Sequence, residues 1–171
     1  MKKNLTLILF LLYISCGKDA PVETPTPQII KYTLSFSAGS GGSVSIPGGS
    51  YETGTSVSVT ATPDSEYVFV DWSNGSTQNP LSVSVNSNLT LTANFEKRKY
   101  PLTMNIVGEG TVSEEIISAG RTTTEYTSGS VIRLTANPSD EWVFTGWSGS
   151  VSSTTNPIEL TVDESKTISV T

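Results

Sequence analysis

Lys31-Tyr32-Thr33-Leu34-Ser35-Phe36-Ser37-Ala38 puts an apolar side chain at every second position: Tyr32, Leu34, Phe36 and Ala38 against Thr33, Ser35 and Ser37. Successive side chains of extended backbone point to opposite sides, so a period of two marks a strand with one buried and one wet face. The same beat runs through Val57, Val59 and Ala61, through Leu81, Val83 and Val85, and through Leu89, Leu91, Ala93 and Phe95. It returns in Tyr100, Leu102, Met104 and Ile106, then in Ile132, Leu134 and Ala136. Ile158, Leu160 and Val162 carry it on, as do Ile168 and Val170. Gly39-Ser40-Gly41-Gly42 and Gly108-Glu109-Gly110 read as hairpin turns between such strands. No segment among them reads as a helix, and the expected fold class is all-β.

The pattern occurs twice. Lys31-Tyr32-Thr33-Leu34 returns as Lys99-Tyr100-Pro101-Leu102, and Tyr51-Glu52-Thr53-Gly54 as Tyr126-Thr127-Ser128-Gly129. Thr60-Ala61-Thr62-Pro63 returns as Thr135-Ala136-Asn137-Pro138, and Asn79-Pro80-Leu81 as Asn156-Pro157-Ile158. The longest echo is Val68-Phe69-Val70-Asp71-Trp72-Ser73 with Val143-Phe144-Thr145-Gly146-Trp147-Ser148. The offset grows from 68 to 75 and then 77, which places a seven-residue insertion within 113–124 and two further residues after Trp147. Internal repetition of this kind means two copies of one structural unit. Each copy is expected to hold five or six short strands. Trp72 lies three residues beyond Phe69, out of step with the alternation, and one extra residue in a β-bulge would turn both to the same side. Gly146 suits such a position in copy two, with Asp71 in its place in copy one.

These motifs resemble the divergent InlB B-repeat family. Its pattern runs Tyr-x-Leu, a Gly-rich turn, Tyr-x-x-Gly-x-x-Val, Ala-x-Pro and Phe-x-Gly-Trp-Ser, then Asn-Pro and a final strand ending in Asn-Phe. Residues 31–96 and 99–171 both fit it. The resemblance implies a small β-rich module of extracellular and surface proteins, used as a spacer or adhesive segment and carrying no catalytic residues. It also implies a β-grasp-like fold, whose helix the sequence lacks; a small sandwich is the other expectation.

Composition narrows the function further. Among 171 residues there is no histidine and a single cysteine, Cys16. Imidazole-dependent nucleophilic catalysis, a Cys/His zinc site and an internal disulfide are therefore excluded. Asp and Glu outnumber Lys and Arg by 16 to 10, which argues against nucleic acid as a partner. The basic run Lys97-Arg98-Lys99 is short and reads as a solvated joint between the copies. Asp64, Glu66 and Asp71 cluster in copy one, and Asp140 and Glu141 in copy two. A glycosidase needs two carboxylates at a set separation within a cleft, and modules this small have little room for one. Asp163-Glu164 lacks the spacing of a calcium loop and reads as a last hairpin turn. No cofactor or metal is expected. Trp72 and Trp147 could stack on sugars, but small modules need large aromatics for their cores, so Phe69, Trp72, Phe144 and Trp147 are assigned to structural cores. Trp142, which replaces Tyr67, is expected to be partly exposed.

The N-terminus reads as an address. Lys2 and Lys3 precede an apolar run, Leu5–Ile14, about 15 Å long as a helix and too short to span a bilayer. Tyr13-Ile14-Ser15-Cys16 resembles a bacterial lipobox, with Tyr13 where Leu is usual. The resemblance implies that residues 1–15 are a signal peptide and that Cys16 is the lipidated first residue. Membrane contact would come from acyl chains on Cys16, of which two or more hold stably. Gly17-Lys18-Asp19 loosely resembles an export tag of surface lipoproteins. Residues 16–30, with Pro21, Pro25 and Pro27, form an extended tether. The expected whole is a non-enzymatic lipoprotein at the outer membrane or cell surface, a stalk or adhesion segment with a glycan or protein ligand outside the cell. The rivals are a carbohydrate-binding module using exposed aromatics and the appendage of a larger secreted enzyme. Thr171 aligns with Asn94, so copy two is expected to be truncated, with an aromatic next in the native chain.

Overall fold

The computed structural model describes residues 27–122 and 124–171. The expected signal peptide, the expected lipidation site Cys16 and most of the expected tether lie outside these residues. No helix occurs among the described residues, and the chain is all-β.

Copy one contains β1 (Lys31–Ala38), β2 (Gly42–Val44), β3 (Gly48–Glu52), β4 (Ser56–Val59), β5 (Ala61–Pro63), β6 (Tyr67–Trp72), β7 (Leu81–Ser84) and β8 (Leu89–Lys97). Copy two contains β9 (Lys99–Ile106), β10 (Gly110–Ser118), β11 (Glu125–Thr127), β12 (Ser130–Pro138), β13 (Trp147–Gly149), β14 (Ile158–Val162) and β15 (Lys166–Val170). Eight and seven strands exceed the five or six expected, because several are only three residues long and too short to show a period. Around Thr60, where copy two keeps β12 continuous, copy one parts β4 from β5. There the Ser45 N–H donates to the Thr60 carbonyl and the Thr60 N–H to Ser45 Oγ, both at 2.9 Å.

One sheet is the same in both copies: β3-β1-β8-β6 in the first and β11-β9-β15-β13 in the second. Its centre is a parallel pair of first and last strands, with Leu34 beside Leu89 and Phe36 beside Leu91, and Met104 beside Ile168 in copy two. The opposing layer is β2-β5 and β4-β7 in copy one, and β10-β12-β14 in copy two. Both layers feed one core. Leu34, Phe36, Val57, Val59, Trp72, Leu81 and Leu91 meet in copy one; Tyr126, Ile132, Leu134, Trp147, Leu160 and Ile168 meet in copy two. Each copy is thus a small sandwich.

The glycine-rich turns are not hairpins. β1 pairs with β3 and β8, while β2 pairs with β5, so Gly39–Gly42 carries the chain from one layer to the other. Gly108–Gly110 does the same between β9 and β10, and residues 163–165 pass from β14 to β15, which pair with different strands. The glycines answer to crowding here. A Cβ on Gly41 (φ 96°) would lie 2.1 Å from the Tyr67 ring, and one on Gly42 would lie 2.5 Å from the Phe95 ring.

The β-bulge is present between Phe69 and Asp71: Phe69 faces Phe95 while Asp71 faces Asn94, leaving Val70 as the extra residue. Neither Asp71 nor Gly146 needs a left-handed backbone for it. The inserted residues of copy two lengthen β10, which runs beside β12 from Gly110 to Ser118. The wet faces use the Ser and Thr residues in cross-strand pairs, Ser37 with Thr92 at 2.8 Å and Ser56 with Ser82 at 3.0 Å.

Candidate functional site: the joint between the copies

Only Arg98 separates β8 from β9. β8 leaves copy one alongside β6, with Lys97 beside Tyr67. The turn before β6 places Glu66 in the left-handed region at φ 63°, the Tyr67 N–H reaching back to the Asp64 carbonyl at 3.1 Å. That conformation turns both the carbonyl and the carboxylate of Glu66 toward copy two. Its carbonyl accepts from the Arg98 N–H at 2.8 Å. Its Oε2 accepts from Tyr100 Oη at 2.8 Å and from Ser128 Oγ at 2.9 Å. Tyr100 is the second residue of β9, and Tyr126 of β11 pairs with it two residues ahead of Ser128. The Ser128 N–H closes the ring by donating to the Arg98 carbonyl at 2.8 Å.

The electrostatics favour an ionised clasp. The Tyr100 hydroxyl, and after it the Ser128 hydroxyl, hold the Glu66 carboxyl below its usual range, with help from the Arg98 charge; partial burial and the Asp163 charge oppose them. The same bond to Glu66 raises the Tyr100 phenol, which keeps it a donor. Within the basic run, Lys99 pairs with Glu96 at 3.3 Å and Arg98 works through its backbone.

The carboxylates of copy one do not converge. Asp71 Oδ1 accepts from Asn94 Nδ2 at 2.8 Å, while Glu66 serves the joint. Asp163 and Glu164 both engage Lys166, at 2.7 and 3.0 Å, which holds the Asp163 carboxyl below its usual range. No group of three or more metal-ligating side chains occurs among the described residues.

Trp72 is fully buried and Trp147 is 2 % exposed. Their indole N–H groups donate to the carbonyls of Gln78 at 2.9 Å and Thr155 at 3.0 Å. Phe69 and Phe144 are only half-buried, each packed against its tryptophan at 5.8 and 5.4 Å between ring centroids. Trp142 is 51 % exposed.

Sequence reasoning missed two devices. Glu66 looked like one acid among several, although its recurrence as Glu141, also left-handed at φ 70°, was a signal. Asn79 and Asn156 stood out only as markers of the repeat. Each instead carries a ladder one step further within its own layer: Asn79 bonds the N–H and carbonyl of Ala61 at 2.9 and 2.7 Å, beyond the Val59–Leu81 pair, and Asn156 those of Ala136 at 2.9 and 2.8 Å, beyond the Leu134–Ile158 pair.

Among known protein families, the divergent InlB B-repeat domain matches the chain twice, over residues 32–99 and 100–171. No curated protein and no solved structure matches it.

Proposed function

We propose, for a chain that belongs to the divergent InlB B-repeat family in two tandem copies, a non-enzymatic role as an exported, lipid-anchored stalk. Cys16 carries the acyl chains, residues 17–30 reach roughly 43 Å at about 3.1 Å per residue, and the two sandwiches extend the stalk outward. The observation that carries this reading is the Glu66 joint. A one-residue connection clasped by three hydrogen bonds to a single residue restricts bending between the copies, as a spacer requires. A flexible linker would have been longer and richer in Gly and Ser.

The test is a distance distribution between spin labels at Ser58 of copy one and Thr161 of copy two, both exposed. Both cores lie within residues 31–171, so a chain starting at Gly17 retains them and removes Cys16. The expected result is a narrow distribution that broadens with Glu66→Ala. A broad distribution in the unsubstituted chain would defeat the stalk reading. The exposed Trp142 favours a second reading, sugar binding at the end of copy two. A glycan array decides it: hits lost with Trp142→Ala support it, and an array without hits removes it.

A further inference from the structure

β3 is an outer strand of its sheet, and its far side is bare. The Phe36 N–H donates to the Pro47 carbonyl and the Thr53 N–H to the Ile30 carbonyl, both at 2.9 Å. Backbone groups alternate in direction along an antiparallel strand, so Gly49 and Tyr51 also face β1, while Ser50 and Glu52 face away from it. The Glu52 carbonyl accepts from Thr55 Oγ1 at 2.8 Å. The Ser50 N–H and carbonyl and the Glu52 N–H have no partner among the described residues. The other outer strands of the two main sheets are protected. β6 is bulged, and its Trp72 N–H donates to the Ser76 carbonyl; Trp147 of β13 exchanges bonds with Ser153.

Copy two shows what such a side accepts. There the inserted residues lay Gly120-Arg121-Thr122 along the outer side of β11, with Arg121 opposite Tyr126. The Thr127 N–H donates to the Gly120 carbonyl at 2.9 Å, and the Thr122 N–H to the Glu125 carbonyl at 2.8 Å. The Arg121 guanidinium lies over the Tyr126 ring at 5.4 Å, and Tyr126 is 3 % exposed. In copy one Tyr51 holds the position of Tyr126, with Ser50 for Glu125 and Glu52 for Thr127, and Tyr51 is only half-buried. The chain passes from β2 to β3 through Ser45, Ile46 and Pro47 alone, which leaves it nothing to lay across the strand. The two bonds in copy two follow one rule. Each runs from the N–H of the third residue of one segment to the carbonyl of the first residue of the other. A strand lying antiparallel to its own duplicate obeys that rule by two-fold rotation.

We propose that the bare side of β3 pairs with β3 of a second copy of this chain, antiparallel and related by a two-fold axis at Tyr51. Ser50-Tyr51-Glu52 of each molecule stands to the other as Gly120-Arg121-Thr122 stands to β11. Each Glu52 N–H donates to the Ser50 carbonyl of the other molecule. The two Tyr51 residues face one another as a non-hydrogen-bonded pair, where side chains come closest, and each ring covers the other in place of Arg121. Each Glu52 carboxylate falls beside a Ser50 and not beside the other Glu52, so this register sets no like charges directly opposite. The two four-stranded sheets of copy one become a single sheet of eight strands. The contact uses the same surface on both molecules, so it closes at two. Three residues a side make a small interface, and chains of net charge −6 repel, so pairing is weak in solution and strengthens with salt. It goes beyond the stalk reading and does not rest on it.

Sedimentation equilibrium on the chain starting at Gly17, at concentrations rising to about 1 mM, tests this. The expected result is a reversible dimer with no larger species. Glu52→Pro removes the donor of both bonds and weakens dimerisation at least tenfold; an outer strand tolerates proline where its N–H faces outward. Ile117→Asp, on β10, leaves dimerisation unchanged. The chain starting at Gly17 has no cysteine, so Tyr51→Cys gives a second reading that does not need the proline variant to fold. Facing residues of a non-hydrogen-bonded pair lie about 4.5 Å apart at Cα, within the range of a disulfide. Mild oxidation is expected to link Tyr51→Cys into dimers and to leave Ser58→Cys, exposed on β4, monomeric. A monomer at every concentration and salt level overturns the proposal. So does growth past two molecules, dimerisation undiminished in a folded Glu52→Pro or lost in Ile117→Asp, or oxidation that links Ser58→Cys as readily as Tyr51→Cys. The inter-copy distance that tests the stalk is a separate measurement within one molecule, so either reading can fail alone.

Discussion

Trp147 fills the core of copy two and ties the chain beyond it through a bond from its indole to the Thr155 carbonyl. Truncating a buried aromatic to alanine costs about 3–5 kcal/mol, a large share of what a module this size has. Trp147→Ala is therefore expected to unfold copy two, read as loss of its transition in a thermal melt followed by circular dichroism. Trp142→Ala, at a half-exposed ring, should leave that transition within a few degrees. Glu66 gives a pH prediction with a definite sign. Its carboxyl in the folded chain titrates below the usual value of 4.5. The clasp is thus fully formed above that value and is lost as pH falls through the lower, folded one. Inter-copy distances should broaden on acidification below about pH 4.5, and Glu66→Gln should flatten this dependence. A width that does not change with pH would mean that the charge on Glu66 contributes nothing to the joint.

At the scale of elements, an asparagine on a loop and an alanine on a strand extend one layer of each sandwich past the end of its ladder. The backbone groups of Ala136 sit where the short β12–β14 ladder has ended, and Asn156 supplies the partners a strand would have supplied. Asn156→Ala leaves a buried donor and acceptor unpaired, which costs about 1–3 kcal/mol. Urea midpoints would register it, and Asn79→Ala should lower copy one in the same way. The charged ladder across the other layer is different in kind. Arg133 of β12 reaches Glu115 of β10 at 2.8 Å and Glu159 of β14 at 2.7 Å, all on the wet face. Exposed pairs contribute at most about 1 kcal/mol, so Arg133→Ala should move the same midpoint very little. Its glutamates also keep the edge strand β10 from pairing with other chains.

For the whole molecule, two separate cores joined at one residue predict two unfolding units. Trp72→Ala should remove the transition of copy one and leave most of that of copy two. A single transition abolished by either tryptophan would show instead that the joint couples the copies fully. In cells, Cys16→Ala is expected to move the protein from the detergent-soluble membrane fraction to unprocessed or soluble forms. Continued labelling of that variant with palmitate would overturn the anchor.

Alternation and repetition are properties of neighbours along the chain, so they were legible without coordinates. Tyr32, Leu34 and Phe36 announced a half-buried strand, and the echo of Phe69–Trp72 in Phe144–Trp147 announced two copies of one β unit. The bulge was readable too, since it shifts a local period. Pairing was not. A strand's alternation is the same whether its neighbour runs parallel or antiparallel, and nothing in Leu34 or Leu89 says that the first and last strands of a copy lie side by side. The glycine turns misled for the same reason: a local signal for reversal does not tell whether the chain returns to its own sheet or crosses to the other. The joint lay furthest from view. Glu66, Tyr100 and Ser128 stand 34 and 62 residues from one another's reach in the chain. Only the packing of two finished sandwiches brings a left-handed glutamate against two hydroxyls, the contact from which the proposed function is argued.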